Sequence, residues 1–225
     1  MRHGANTLNG AAYDRMRADI LAGRLRPGDR LKFATLSERY GTSISVLREV
    51  LAKLTAEKLV VEAPRQGFRV IPLSLEDLED LTAVRCDIEC MAFRYSVERG
   101  DLAWESRVIA AHHTLENTPM TVDGDPELFS DEWAKAHSHF HVTLFDACGS
   151  RRLCDLAMSL RDGAELYRRW SRPIGKDQGR DIAGEHRGLM EAALARDADT
   201  GAARLRAHIT RTTHVLLDAV KDTGD

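Results

Sequence analysis

Three residues, Gly41-Thr42-Ser43, constrain this chain more than any other feature. They separate two runs of helical periodicity, Ala34 to Tyr40 and Ser43 to Glu57, by a glycine turn too short for anything but a helix-turn-helix corner. In the second run Val46, Leu47, Val50, Leu51 and Leu54 share the inward face. An earlier helix from Ala11 to Leu21 gathers Tyr13, Met16, Ile20 and Leu21 and stops at Gly23 and Pro27-Gly28. Further on, Leu59-Val60-Val61 and Phe68-Arg69-Val70-Ile71 flank Pro64-Arg65-Gln66-Gly67, which is the pattern of strand, turn and strand. Three helices and a hairpin predict a winged helix-turn-helix over residues 1–73.

Ser74-Leu75-Glu76-Asp77 has the form of a capping box and opens a long helix to about Arg99, so a second domain is predicted over 74–225. Breaks at Gly100-Asp101, Thr118-Pro119 with Asp123-Gly124-Asp125-Pro126, Gly149-Ser150, Ser171 to Gly175 and Asp197-Ala198-Asp199 divide it into about six helices. The expected fold class is therefore mainly α: a winged helix-turn-helix followed by an all-α antiparallel bundle. No stretch reaches the roughly 18 apolar residues of a membrane span, and no apolar run follows Met1 as in a signal peptide. A cytoplasmic protein with no membrane partner is expected. Cys86, Cys90, Cys148 and Cys154 form no CxxC pair and sit among apolar helical residues, as reduced core thiols do.

The net charge of -3 hides an asymmetry. Residues 1–73 carry 13 Lys+Arg against 7 Asp+Glu, a net +6, and the remainder carries 19 against 28, a net -9. A basic module joined to an acidic one points to a polyanion partner for the first alone. DNA is read by side chains at the N-terminal end of a helix that enters the major groove, and Ser43, Ile44, Ser45 and Arg48 occupy that end. Arg48 can donate to a guanine edge or a phosphate, and the two serines can donate to backbone oxygens. At the wing tip Arg65 and Gln66 are candidate minor-groove or phosphate contacts, with Gly67 permitting the turn.

Eight of the nine histidines lie in the second domain. At 100° per residue, His137 and His141 share a face with Trp133, Phe140 and Leu144, whereas His139 points the other way. His186 is centred among Ile182, Leu189 and Met190, and His208 lies near Leu205 and Val215. Two imidazoles at i and i+4, joined by two from other helices, make a nitrogen-rich set suited to zinc, nickel or a similar divalent ion. Periodicity leaves core packing and metal binding both open. Arg85 is also inward, with Leu78, Leu81, Ile88 and Ala92 on its face and Glu89 one turn on. A charge so placed needs a partner, either Glu89 or the carboxylate of a ligand.

The first 73 residues resemble the DNA-binding domain of the GntR family. The match runs from Tyr13 through Ile20-Leu21-Ala22-Gly23-Arg24-Leu25-Arg26-Pro27-Gly28-Asp29-Arg30-Leu31, Leu36-Ser37 and Gly41-Thr42-Ser43 to Leu47-Arg48-Glu49-Val50-Leu51, Leu54, Leu59-Val60 and Gly67. The remainder resembles the FCD ligand-binding domain of the FadR subfamily in Arg85 and Glu89, Phe140-His141, Glu185-His186 and His208. This resemblance implies a transcription regulator that binds palindromic operator DNA as a homodimer and answers to a small organic acid. It also favours a metal on His137, His141, His186 and His208, with Arg85 on the acid. Two positions depart from the family pattern: Ile44 replaces a common base-reading arginine, and His137 stands where the metal site usually opens with aspartate. Two other readings compete: a regulator for which the metal itself is the signal, and a helical metalloenzyme. The second is disfavoured because the chain has no HExxH motif and no carboxylate on the His137/His141 face to act as base.

Overall fold

The computed structural model describes residues 3–63, 67–72, 74–122, 125–170 and 179–222. They form two compact units, Met1–Ser74 with Glu165–Trp170, and Leu75–Ala164 with Ser171–Asp225.

In the first unit α1 (His3–Leu21) and β1 (Arg30–Leu31) precede α2 (Phe33–Tyr40) and α3 (Ile44–Ala56), and β2 (Val60–Ala63) and β3 (Gly67–Val70) close it. The turn between α2 and α3 forms because Gly41 takes the left-handed conformation, φ 64°, and its N–H donates to the Ser37 carbonyl. Ser43 then caps α3 by accepting from the Val46 N–H. The strands are antiparallel in the order β1-β3-β2, with Val60 opposite Val70 and Arg30 opposite Arg69. β1 was not anticipated: two residues are too few to show alternation, and their pairing is set by β3. Met16, Ile20, Leu36, Leu47, Leu51, Leu54 and Val70 build the core. Asp19 locks α1 onto α2 by accepting from the Tyr40 hydroxyl at 2.7 Å and from Arg39 at 2.7 Å.

The second unit holds six helices among its described residues: α4 (Leu75–Arg99), α5 (Leu102–Glu116), α6 (Asp131–Phe145), α7 (Arg151–Trp170), α8 (Ile182–Leu194) and α9 (Ala198–Asp222). The last six residues of α7 belong to the first unit, where Leu166 joins the core and the Tyr167 hydroxyl donates to the Ser74 carbonyl at 3.1 Å. The expectation of a wholly helical second half needs one correction. Between α5 and α6, β4 (Thr121–Val122) pairs with β5 (Asp125–Phe129) in antiparallel register. The predicted break from Ser171 to Gly175 lies outside the described residues.

Helices α4, α8 and α9 meet closely at Gly201. Alanine there would gain up to about 1 kcal/mol in helix propensity, but its Cβ would stand 2.2 Å from Cε1 and 2.6 Å from Cζ of Phe93 and 3.2 Å from the Ala192 Cβ. Phe93 is fully buried, so its ring has nowhere to go. Overpacking should win: Gly201→Ala is expected to cost about 1–3 kcal/mol, read as a lower midpoint in thermal denaturation. An unchanged midpoint would mean that the helices part there without strain.

Candidate functional site

The N-terminal end of α3 is exposed on one face. Ile44, Ser45 and Arg48 are exposed, Ile44 at 50% of its surface, while Leu47, Val50 and Leu51 on the other face are buried. Ser43 Oγ caps the helix and lies 3.1 Å from Ser45 Oγ. The Arg48 guanidinium sits 5.1 Å from the centroid of the Phe33 ring, which orders it without using its N–H donors. Gly67 opens β3 at φ 78°, a conformation that side chains rarely adopt. Arg65 and Gln66 lie outside the described residues.

In the second unit the four predicted histidines come together. His137 and His141 lie on α6, His186 on α8 and His208 on α9; all are buried, and one ring nitrogen of each lies within 4.8 Å of the others. Two caps hold the helices in register: Ser130 accepts from the Trp133 N–H at 2.9 Å and Asp181 from the Gly184 N–H at 2.7 Å. The Trp133 indole stacks on His137 with centroids 4.7 Å apart. His139, which points away from that face, is exposed, as is His214, and His112 is buried against Phe140.

Around His208 stands a set of partners that sequence reasoning did not assign. His208 Nδ1 lies 2.7 Å from Glu185 Oε2, so an N–H there donates to the carboxylate and leaves the Nε2 lone pair for another partner. Arg180 grips both oxygens of Glu185, at 2.8 and 2.7 Å, and also donates to Thr212 Oγ1 at 3.1 Å. Burial opposes ionisation of Glu185, but the hydrogen bonds from His208 and Arg180 prevail and bring its carboxyl down to about 2. Burial also holds His208 below the ordinary imidazole range, against the pull of Glu185, which favours the neutral ring that a metal ligand requires. The adjacency of Glu185 to His186 was a usable signal. Arg180 gave none.

The donor set fits a divalent ion. Metal–nitrogen bonds of about 2.0–2.1 Å in tetrahedral geometry place ligand nitrogens about 3.3–3.4 Å apart, a spacing that a cluster already within 4.8 Å reaches by a modest inward turn of its rings. Four neutral imidazoles suit zinc or nickel better than magnesium or calcium. Arg85 is buried on α4 and donates through Nε to Glu89 at 2.6 Å, the internal pairing weighed in the sequence. Glu89 also accepts from Arg161 at 3.1 Å.

An exposed recognition helix on a winged helix-turn-helix, in one chain with a helical unit that buries a ligand-grade histidine cluster, defines a class: DNA-binding transcription regulators with an effector domain. The pattern described as the bacterial regulatory proteins of the gntR family matches residues 8–70, and that of the FCD domain matches 80–211. The chain is 38% identical over 206 residues to the uncharacterized HTH-type transcriptional regulator BphR of Paraburkholderia xenovorans, covering 92% of this chain and 84% of that one. It is 30% identical to the HTH-type transcriptional repressor GlaR of Escherichia coli, covering 92% and 95%. Among solved structures, McbR/YncC of E. coli shares the fold with a TM-score of 0.78 at 20% identity, covering 94% of this chain and 97% of that one. The chain belongs to the GntR family, with an FCD domain following its DNA-binding domain. Its relatives are transcriptional regulators, which sets the metalloenzyme reading aside.

Proposed function

We propose that this protein is a cytoplasmic repressor of the FadR subfamily that binds a palindromic operator as a homodimer, with its affinity set by a small carboxylate held beside a divalent metal in the helical unit. The observation that carries this reading is the cluster of four buried imidazoles, His137, His141, His186 and His208, backed by Glu185. A metal there would offer a coordination position to a carboxylate oxygen, and the histidines would hold it. Arg85 supplies the guanidinium, since among the described residues its bond to Glu89 uses Nε alone. Residues 1–73 read the DNA through Ser43, Ile44, Ser45 and Arg48, with Arg65, Gln66 and Gly67 at the wing, and residues 74–225 bind the effector and dimerise. The repressor assignment draws on GlaR, which is named a repressor.

For the acid to act as a switch it must prefer one arrangement of the dimer, and its differential affinity bounds the effect. The experiment selects an operator from random duplexes, then titrates zinc-loaded protein on it with and without mono- and dicarboxylates that raise the thermal midpoint. An acid should change operator affinity about 5- to 150-fold. If acids bind and the affinity stays put, the domain is no sensor of carboxylates. If zinc alone moves the affinity and no acid does, the ion is the signal.

A further inference from the structure

The corner between α6 and α7 brings two thiols into contact. α6 ends at Phe145, Cys148 follows it, and Cys154 lies in the first turn of α7. A disulfide holds its sulfurs about 2.0 Å apart, so a bond here requires an approach of roughly 1.3 Å from the observed Sγ–Sγ contact of 3.3 Å. The backbone around the pair is fixed. Gly149 takes the left-handed conformation at φ 76°, which turns the chain back between the two residues. The Arg99 guanidinium of α4 donates to the Cys148 carbonyl, and Ser150 Oγ accepts from the Leu153 N–H at 3.3 Å. Each thiol faces a backbone carbonyl across the corner, Cys148 that of Ser150 and Cys154 that of Phe145, both at 3.4 Å. The other two cysteines, both on α4, are placed differently: Cys86 Sγ lies 3.8 Å from Thr210 Oγ1, and Cys90 donates to the Ala202 carbonyl.

We infer that Cys148 and Cys154 are a reversible disulfide site, closed by exchange with a small-molecule disulfide, that staples the end of α6 to the start of α7. Cys148 is fully buried and Cys154 is partly open, so the incoming disulfide meets Cys154 first. The Cys154 thiolate attacks one sulfur of the small molecule and displaces the other as a thiolate, which takes up a proton. Cys148, once deprotonated, attacks the Cys154 sulfur of the mixed disulfide and displaces the second thiol. The two cysteines lose two electrons and two protons in all, and one small disulfide becomes two thiols. In the cytoplasm proposed above, disulfides are transient and serve as sensors rather than as struts. Burial and the Cys148 thiol push Cys154 up to about 12, so the pair rests as thiols at neutral pH, and exchange quickens about tenfold for each unit by which the pH rises. Closure takes both S–H donors away from the Phe145 and Ser150 carbonyls, and Phe145 is the last residue of the helix that carries His137 and His141.

The test equilibrates the folded, full-length protein at mildly alkaline pH in glutathione buffers of rising oxidised-to-reduced ratio, quenches with acid, and alkylates the free thiols after unfolding. The reduced chain takes up four alkyl groups, one for each cysteine, and the oxidised chain should take up two fewer. Trypsin locates the bond, because it cuts after Arg151 and Arg152 inside the closed loop, so the Cys148 and Cys154 peptides stay joined only where the bond exists. Cys154→Ser should remove the joined peptides, and Cys90→Ser should keep them. The closed wild type should melt several degrees above the reduced chain, because the cross-link restricts the unfolded state while the native sulfurs move little. Cys154→Ser should show no such rise. Four alkylated thiols at every ratio, a mixed disulfide with glutathione that never resolves, or a bond joining other cysteines would overturn the inference. A closed form that melts below the reduced one would overturn it too, since the corner would then have to distort to make the bond.

Discussion

Replacing His141 and His186 together with alanine is expected to abolish stoichiometric binding of a divalent ion, which the wild type should hold at one per chain. The two residues come from α6 and α8, so their loss leaves His137 and His208 on separate helices with no chelate. An ion that binds only the folded protein stabilises it by about 2.7 kcal/mol at a hundredfold excess over its dissociation constant. For a chain of this size that is about 5–10 °C in thermal midpoint, at roughly 2–4 °C per kcal/mol. Cavities left by two truncated rings would lower the midpoint without any metal, so the drop alone decides nothing. The chelator response decides: EDTA should lower the midpoint of untagged wild type and leave the double variant unmoved, with elemental analysis giving the ion count. Glu185→Gln should weaken the ion about 10- to 100-fold, because it loosens the hydrogen bond that orients His208 together with the Arg180 grip behind it. Equal metal content in wild type and double variant, or a wild type indifferent to EDTA, would remove the metal centre from the account.

The histidine cluster was legible because inwardness on a helix is a local property. His137 and His141 are one turn apart and share a face with Trp133, and that is enough to say which way they point. That α6, α8 and α9 meet at those faces was not legible from periodicity, since nothing in a helical repeat states which helix is its neighbour. The resemblance to the FCD pattern supplied that step. The same division explains Arg85. Its pairing with Glu89 is an i, i+4 relation that sequence offers directly, whereas the competing grip of Arg161 comes from 72 residues away in the chain and no spacing announces it. Arg180 and the strands β4 and β5 were missed for a similar reason: they stand at breaks, where Gly, Pro and charged residues mark the end of a helix but not the contacts the connecting chain will make. In the first unit nearly everything was local, so the turn at Gly41, the cap at Ser43 and the buried face of α3 followed from a few adjacent residues. The exception was Leu166, whose burial in that core comes from the far end of α7.

Arg48→Ala is expected to weaken specific operator binding by roughly 5- to 150-fold, the 1–3 kcal/mol of one good contact to a base edge, while leaving the thermal midpoint within the small range of surface substitutions. The reasoning starts from position. Arg48 lies one turn into α3 on the exposed face, beside Ile44 and Ser45, and its guanidinium is steadied by the face of the Phe33 ring, a contact that uses none of its N–H donors. Arg48→Lys separates the two kinds of contact: an ammonium replaces a phosphate contact but cannot form the two-pronged bond to guanine. Loss of discrimination in Arg48→Lys, with the salt dependence retained, assigns Arg48 to a base; a drop of about one in the salt slope of Arg48→Ala, with uniform weakening across sequences, assigns it to the backbone. Ile44 makes the companion case. A half-exposed isoleucine at this place can meet only the apolar part of a base edge, the thymine methyl, so Ile44→Ser should relax a preference for an A·T pair in the half-site without touching the salt slope. Operator affinity of Arg48→Ala equal to that of wild type across a salt titration would show that α3 does not enter the groove by this end.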